Sequence, residues 1–415
     1  GEYLNYGTDN ELEVRLDNSD NPDIPPGKPQ SGLDFSYEGG LYRDARMTVT
    51  EPLYVTNPVL ANEVAGGGVY VWYSDVSKES AVVHTRVHIK NEFDSAKSFS
   101  LNVSLLDQSG NCVGRFTENG ALKADETAYY EGEITVNKPQ LWSPETPNLY
   151  TLRCEILLEN AVADRLDTQI GIRSFTFTIN DGVIFNGESR RFNGANYHQT
   201  WPYIGNAVPQ GLVKRDIMKL KELGFNNIRS HYPFSSLFTD ICNKLGMTVI
   251  VSNPGWQFCR PGIFLERAEQ NMRDIVRWQR NNPCVLIWEP ILNESEMSYD
   301  TRLGLHNIVH EEYPYGSCYT ASDYGVTDIL YCDYDPNMLG EGLEKYGFIG
   351  QKTPEMLPRW VREYGDAPDN FNDQNSIWRC LRSWGDGAMT SVIDRMLDRY
   401  YPKDKNPVSK QYVDM

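Results

Sequence analysis

Residues 213–251 read VKRDIMKLKELGFNNIRSHYPFSSLFTDICNKLGMTVIV. Val213, Ile217, Leu220 and Leu223 recur at helical spacing, and Gly224 supplies a C-terminal stop. An apolar strand around Ile228 follows. The next helix carries Leu237, Ile241 and Leu245, is closed by Gly246, and gives way to a strand over 247–251. Repeated helix–strand units with apolar strands predict a parallel sheet covered by helices. Working outward, strand candidates fall near residues 192, 228, 249, 287, 319, 330 and 361. No GxGxxG or GxxxxGKS/T follows any of them, so a nucleotide-binding fold lacks its fingerprint. A (β/α)8 TIM-type barrel fits better, with active residues at the C-terminal ends of its strands. After Trp384 the chain reads helical without a convincing eighth strand, so the barrel over 177–415 is expected to be incomplete, with its gap exposed, covered by a helix or filled by another chain.

Upstream the rhythm is different. From about 50 to 176 the apolar residues alternate with period two: Val83, Thr85, Val87 and Ile89; Leu101, Val103 and Leu105; Tyr150, Leu152, Cys154 and Ile156. About seven such strands separated by Gly, Asn, Asp and Ser predict an antiparallel β-sandwich, immunoglobulin-like in type. His84 and His88 are expected on its polar face. Residues 1–49 hold one strand-like alternation, Leu12, Val14 and Leu16, and a turn-rich stretch with prolines at 22, 25, 26 and 29. One strand and a loop cannot bury a core. This zone reads as the tail of a further domain.

Composition sets limits on function. The 415 residues carry a formal net charge of -18. Nucleic acid and anionic membrane would both repel such a chain. No apolar run reaches the ~18 residues needed to span a bilayer. The eight cysteines lie far apart without CxxC pairs, which predicts isolated buried thiols rather than a zinc cluster. The 25 tyrosines and 9 tryptophans are either packing residues or platforms for sugar rings. The first residue is Gly1 and no signal peptide is visible, so the chain reads as a processed piece and the compartment stays open.

The strand ends hold the candidate chemistry. They offer Asn196, Tyr197 and His198; Arg229 and His231; Ser252, Asn253 and Trp256; Asn293 and Glu294; and Arg362 and Glu363. Hydrolysis of a glycosidic bond needs two carboxyl groups facing one pocket, one to protonate the leaving oxygen and one to attack or stabilise the anomeric carbon. Glu294 and Glu363 are the natural pair. From spacing alone, each could equally be a surface or salt-bridge residue. Glu289 and Glu296 are rivals to Glu294, and Glu289 is expected to pack against a positive partner.

Several segments together resemble family 2 of the glycoside hydrolases, the family of β-galactosidases and β-glucuronidases. Residues 12–18 (LEVRLDN) and 40–44 (GLYRD) are similar to the end of its jelly-roll sugar-binding domain. Leu141-Trp142-Ser143-Pro144 with Pro147, Leu149 and Tyr150 resembles a signature late in its sandwich domain. Gly171-Ile172-Arg173 with Phe175, then Phe185-Asn186-Gly187, resemble its entry to the barrel. Asn293-Glu294 looks like its asparagine and acid/base glutamate, and Glu363-Tyr364-Gly365 like its nucleophile segment. The resemblance implies a jelly-roll remnant over 1–49, a sandwich over 50–176 and a catalytic barrel over 177–415. It also implies that Asn293 bonds the sugar 2-hydroxyl, that His198 and His231 line the pocket, that Arg229 holds the nucleophile, that Tyr334 touches it, and that Asp34 reaches the pocket from the jelly-roll.

Some positions depart from the family pattern. Only Ser230 separates Arg229 from His231 where relatives usually have two residues, so either the strand end is bulged or Arg229 is not the matching arginine. Ser252-Asn253-Pro254-Gly255-Trp256 lacks the Glu and His that some β-galactosidases use for magnesium, so that site is not implied. The Asn-x-Lys motif by which relatives recognise a glucuronate carboxylate is not seen. The expected activity is that of a retaining exo-β-glycosidase acting on terminal β-galactosides, with no cofactor and no metal. β-Glucuronidase, β-mannosidase and a non-catalytic carbohydrate-binding scaffold are the alternatives. The expected partner is a carbohydrate, with a homo-oligomer possible. A periplasmic or secreted setting would follow if the source degrades glycans. A retaining mechanism places the Glu294 and Glu363 carboxyls about 5 to 5.5 Å apart.

Overall fold

The computed structural model describes residues 3–33, 35–179, 181–201, 203–295, 297–323, 325–332, 359–361 and 365–366. Asp34, Glu296, Tyr334, Arg362 and Glu363 lie outside the described residues, as does 385–415, where the eighth strand was sought. Eight strands come first: β1 (Leu53–Val55), β2 (Val69–Ser74), β3 (Ser80–Asn91), β4 (Lys97–Leu106), β5 (Cys112–Leu122), β6 (Thr127–Asn137), β7 (Tyr150–Leu158) and β8 (Ala161–Ile170). β3 pairs with β1 and β2 along one side and with β6 along the other, while β5-β4-β7-β8 form a second antiparallel sheet. The expected inward residues Val83, Thr85, Val87, Ile89, Leu101, Val103, Leu105, Leu152, Cys154 and Ile156 are all fully buried. Apolar residues of both sheets share one core, as the period-two pattern dictates.

Three expectations need correcting. His88 is not on a polar face but buried, with Nδ1 against Thr56 Oγ1 at 2.9 Å and its ring stacked on Tyr129; burial lowers its pKa. The segment around β1 covers that end of β3, which strand alternation cannot reveal. Residues 12–16 form no strand, and Leu12, Val14 and Leu16 are exposed. A lone strand has no ladder to join. Cys154, Cys242 and Cys284 are buried, yet Cys112 at the start of edge strand β5 is exposed.

A short antiparallel sheet of β9 (Phe175–Phe177), β10 (Val183–Phe185) and β11 (Glu188–Arg190) precedes the parallel part. Then follow β12 (Gly194–Asn196), α1 (Gln210–Glu222), β13 (Asn227–Arg229), α2 (Ser236–Leu245), β14 (Thr248–Ser252), α3 (Ile263–Gln279), β15 (Val285–Glu289), α4 (Tyr299–Glu312), β16 (Ala321–Ser322), β17 (Ile329–Cys332), β18 (Arg359–Val361) and β19 (Gly365–Asp366). β12 to β15 are paired in order and parallel, and β16 to β18 likewise. A parallel bridge between Trp288 and Thr320 links the two sets. All seven expected strands are present, while β19 returns antiparallel on β18. Among the described residues no pairing closes the ring. Every residue of β14 and β15 is buried, as parallel strands covered by helices require.

The two parts are tied by buried polar groups. Trp142, fully buried, donates from Nε1 to Asn243 O at the end of α2. Arg173 donates to Val285 O, and Arg280 to the carbonyls of Gly66 and Gly67. Gly246 ends α2 at φ 71° and ψ 47°, where a Cβ would collide with the Pro144 carbonyl. Gly246→Ala therefore combines left-handed strain with a backbone clash and should destabilise the fold by about 2 kcal/mol. Urea unfolding measures this, and a loss below about 0.5 kcal/mol would mean that the turn relaxes at little cost.

Candidate active site

The parallel register brings the C-terminal ends of β12 to β15 to one side. Arg229 is the last residue of β13 and is 1% exposed. Its Nε donates to Glu289 Oε2 at 2.8 Å and its Nη2 to Glu289 Oε1 at 2.5 Å. Glu289, at the end of β15, is fully buried, so the positive partner expected for it is Arg229. The pair is bidentate, the geometry that offsets the desolvation of both ions. Ser252 Oγ, at the end of β14, is 2.5 Å from Glu289 Oε2. The serine that stands where a magnesium ligand was sought is thus a buried partner of Glu289. Asn253 donates to Ala268 O.

Arg229 Nη2 also donates to Asn293 Oδ1 at 2.9 Å, and Nη1 lies 3.5 Å from both Asn196 Oδ1 and His231 Nε2. The guanidinium thus orients Asn293, the candidate for the sugar 2-hydroxyl. Arg229 ends β13 in regular parallel pairing with β14, without a bulge. Glu294 is exposed and adopts φ 59°, an uncommon conformation for a residue with a side chain. Asp323 Oδ2 accepts from its backbone N at 3.3 Å, and its Oε2 accepts from Gln257 Nε2 at 2.5 Å. Gln257 is itself at φ 52°. Ser295 joins the two loops, accepting from Gln257 N and donating to Gly255 O. Two adjacent loops with left-handed residues, held side chain to side chain, aim one carboxylate outward from the strand ends.

Aromatic rings gather at the same strand ends. His231 stacks on Trp256 with ring planes 5° apart, and Tyr232 Oη lies 3.3 Å from His198 Nδ1 while accepting from Gln199 N. Burial raises the Tyr232 pKa, which keeps this hydroxyl a donor. Trp256 is 7% exposed and its Nε1 has no acceptor among the described residues. The N-terminal segment crosses the same mouth. Phe35 stacks on His198 at 5.3 Å and lies within 5.7 Å of the rings of His231 and Tyr232. Lys28 Nζ donates to Gln257 Oε1 at 2.6 Å and sits 4.1 Å over the Trp256 ring. Glu38 accepts from Asn206 N, and Arg43 donates to Asn206 O. Sequence reading did not find Lys28, Phe35, Gln257 or Asp323. The pattern of residues 34–44 alone hinted that this segment approaches the barrel.

Comparison with known proteins agrees with this architecture. The description "Glycosyl hydrolases family 2" matches residues 69–173, and "Glycosyl hydrolases family 2, TIM barrel domain" matches residues 177–309. The chain belongs to glycosyl hydrolase family 2. A β-galactosidase of Thermoanaerobacterium thermosulfurigenes is 30% identical over 304 residues, which is 73% of this chain and 40% of that protein. A β-glucuronidase of Bacteroides fragilis is 25% identical over 405 residues, 91% of this chain and 56% of the relative. Among solved structures, Bacteroides uniformis β-glucuronidase 2, covalently bound to cyclophellitol-6-carboxylate aziridine, matches with a TM-score of 0.70 at 24% identity, over 83% of this chain and 44% of that one. The chain spans roughly half the length or less of these family 2 relatives.

Proposed function

We propose that this family 2 chain carries the active site of a retaining exo-β-glycosidase acting on terminal β-galactosides, with Glu294 as acid/base and Glu363 as nucleophile. The carrying observation is the placement of Asn293-Glu294 just past β15, with Asn293 held by buried Arg229 and Glu294 directed outward by Gln257 and Asp323. In this reading Glu294 protonates the leaving oxygen while Glu363 attacks the anomeric carbon; Glu294 then takes a proton from the water that releases the sugar. His198, His231 and Trp256 form the pocket wall, and Tyr334 approaches the nucleophile. The two antiparallel sheets are read as the family's immunoglobulin-like domain over 50–176, between a jelly-roll remnant over 1–49 and an incomplete catalytic barrel over 177–415.

A second reading, β-glucuronidase, is favoured by the Bacteroides fragilis relative that aligns over 91% of the chain. A panel of nitrophenyl β-glycosides run on the whole protein separates the two. Release from the galactoside supports the first, and release from the glucuronide alone moves the assignment to the second. Turnover of none would leave a carbohydrate-binding scaffold. Asp34 is assigned to the innermost sugar. Its neighbour Phe35 lies on the pocket histidines, which supports that place. Two charge-assisted hydrogen bonds to sugar hydroxyls would disappear in Asp34→Ala, so kcat/KM should fall on the order of a hundredfold with folding little changed. A drop smaller than about threefold would remove Asp34 from the pocket.

A further inference from the structure

His306 and His310 stand four residues apart on α4, one helical turn, so both side chains lie on one face. They meet Asp328, the residue just before β17. One ligand atom from each of the three lies within 4.8 Å of the other two, and all three residues are partly exposed. His310 Nε2 is 2.8 Å from Asp328 Oδ2, and the two histidine rings are edge to face at 4.7 Å. Thr320, just before β16, organises the group. Its backbone N and its Oγ1 both donate to Asp328 Oδ2, at 2.8 and 3.0 Å. Its hydroxyl proton being so used, Oγ1 accepts from His306 Nδ1 at 2.7 Å. That sets His306 as the Nδ1–H tautomer, with the lone pair on Nε2.

We infer that His306, His310 and Asp328 form a binding site for a divalent transition-metal ion such as Zn²⁺, between α4 and the starts of β16 and β17. Two imidazoles and one carboxylate suit zinc and its neighbours rather than calcium or magnesium, which prefer oxygen donors. Three protein ligands leave a fourth position for water. Thr320 plays the orienting part that such histidines need from a second partner. The site is apart from the candidate active site: Glu294 and Asp323 lie past the ends of β15 and β16, whereas Asp328 and Thr320 precede β17 and β16. Binding would displace the proton between His310 and Asp328, and would clamp α4 to the sheet.

The test is zinc titration of the full chain after chelator treatment, in a Cys112→Ser background because that exposed thiol would itself bind zinc. One ion per chain should bind, and a hundredfold excess over Kd should raise Tm by about 3 °C or more. His306→Ala and His310→Ala should each weaken binding by at least about tenfold, and Thr320→Val by about tenfold. Cobalt should give visible bands that the histidine variants lose. If an alanine variant misfolds by circular dichroism, Asp328→Asn carries the test instead. Absence of stoichiometric binding, or equal affinity in wild type and variants, would overturn the site and leave a hydrogen-bonded staple.

Discussion

Glu294→Gln should slow hydrolysis of β-glycosides with poor leaving groups by about 10²- to 10⁴-fold, the range of a lost general acid. Activated aryl glycosides should lose far less in the step that releases the aglycone, because a good leaving group departs without a proton. The substitution keeps shape and an oxygen that can still accept from Gln257 Nε2, so the loop at φ 59° need not move. What disappears is the proton itself. A purely structural role would lower both substrate classes equally, and that result in steady-state kinetics would end the acid/base assignment. Added azide should restore activity on the activated substrate by attacking the glycosyl-enzyme in place of activated water.

Arg229→Leu should destabilise the barrel part by about 3 to 5 kcal/mol, the usual consequence of leaving one ion of a buried pair alone. Arg229 and Glu289 have side-chain exposures of 1% and 0%, so solvent cannot substitute for the missing partner. Ser252 would remain as a partner of the stranded carboxylate, too weak to compensate for a charge. Activity should fall as well, because Asn293 loses the donor that orients it. The double substitution Arg229→Leu/Glu289→Leu should recover much of the stability, since no buried charge remains, but not the activity. Urea unfolding of both single variants and the double variant measures the coupling. A loss under about 1 kcal/mol for Arg229→Leu would show that water reaches Glu289.

Much of this was legible in the sequence where the signal is local. Val83, Thr85, Val87 and Ile89 alternate and are buried; Val213 and Ile217 lie a turn apart and face the core; Gly246 ends its helix in the left-handed conformation. Each depends on residues a few positions apart, whose geometry the strand or helix period sets. Asn293 and Glu294 stood out because an apolar strand ended there. Leu12 to Leu16 also alternate, yet make no strand, because pairing depends on a partner the pattern cannot supply.

By itself the sequence determined the two rhythms, period two and then helix–strand repeats, and with them the kinds of sheet and the strand ends where chemistry could stand. It also marked Glu289 for a positive partner without naming it. Only the tertiary structure decided that this partner is Arg229, that His88 is buried under Thr56, and that Lys28 and Phe35 reach Gln257 and His198. Lys28 and Gln257 are 229 positions apart, and Arg229 and Glu289 are 60 apart. No period of a helix or strand connects positions so distant. They meet because burying the apolar faces brings the strand ends to one side, and buried charges are retained only where an opposite charge arrives with them.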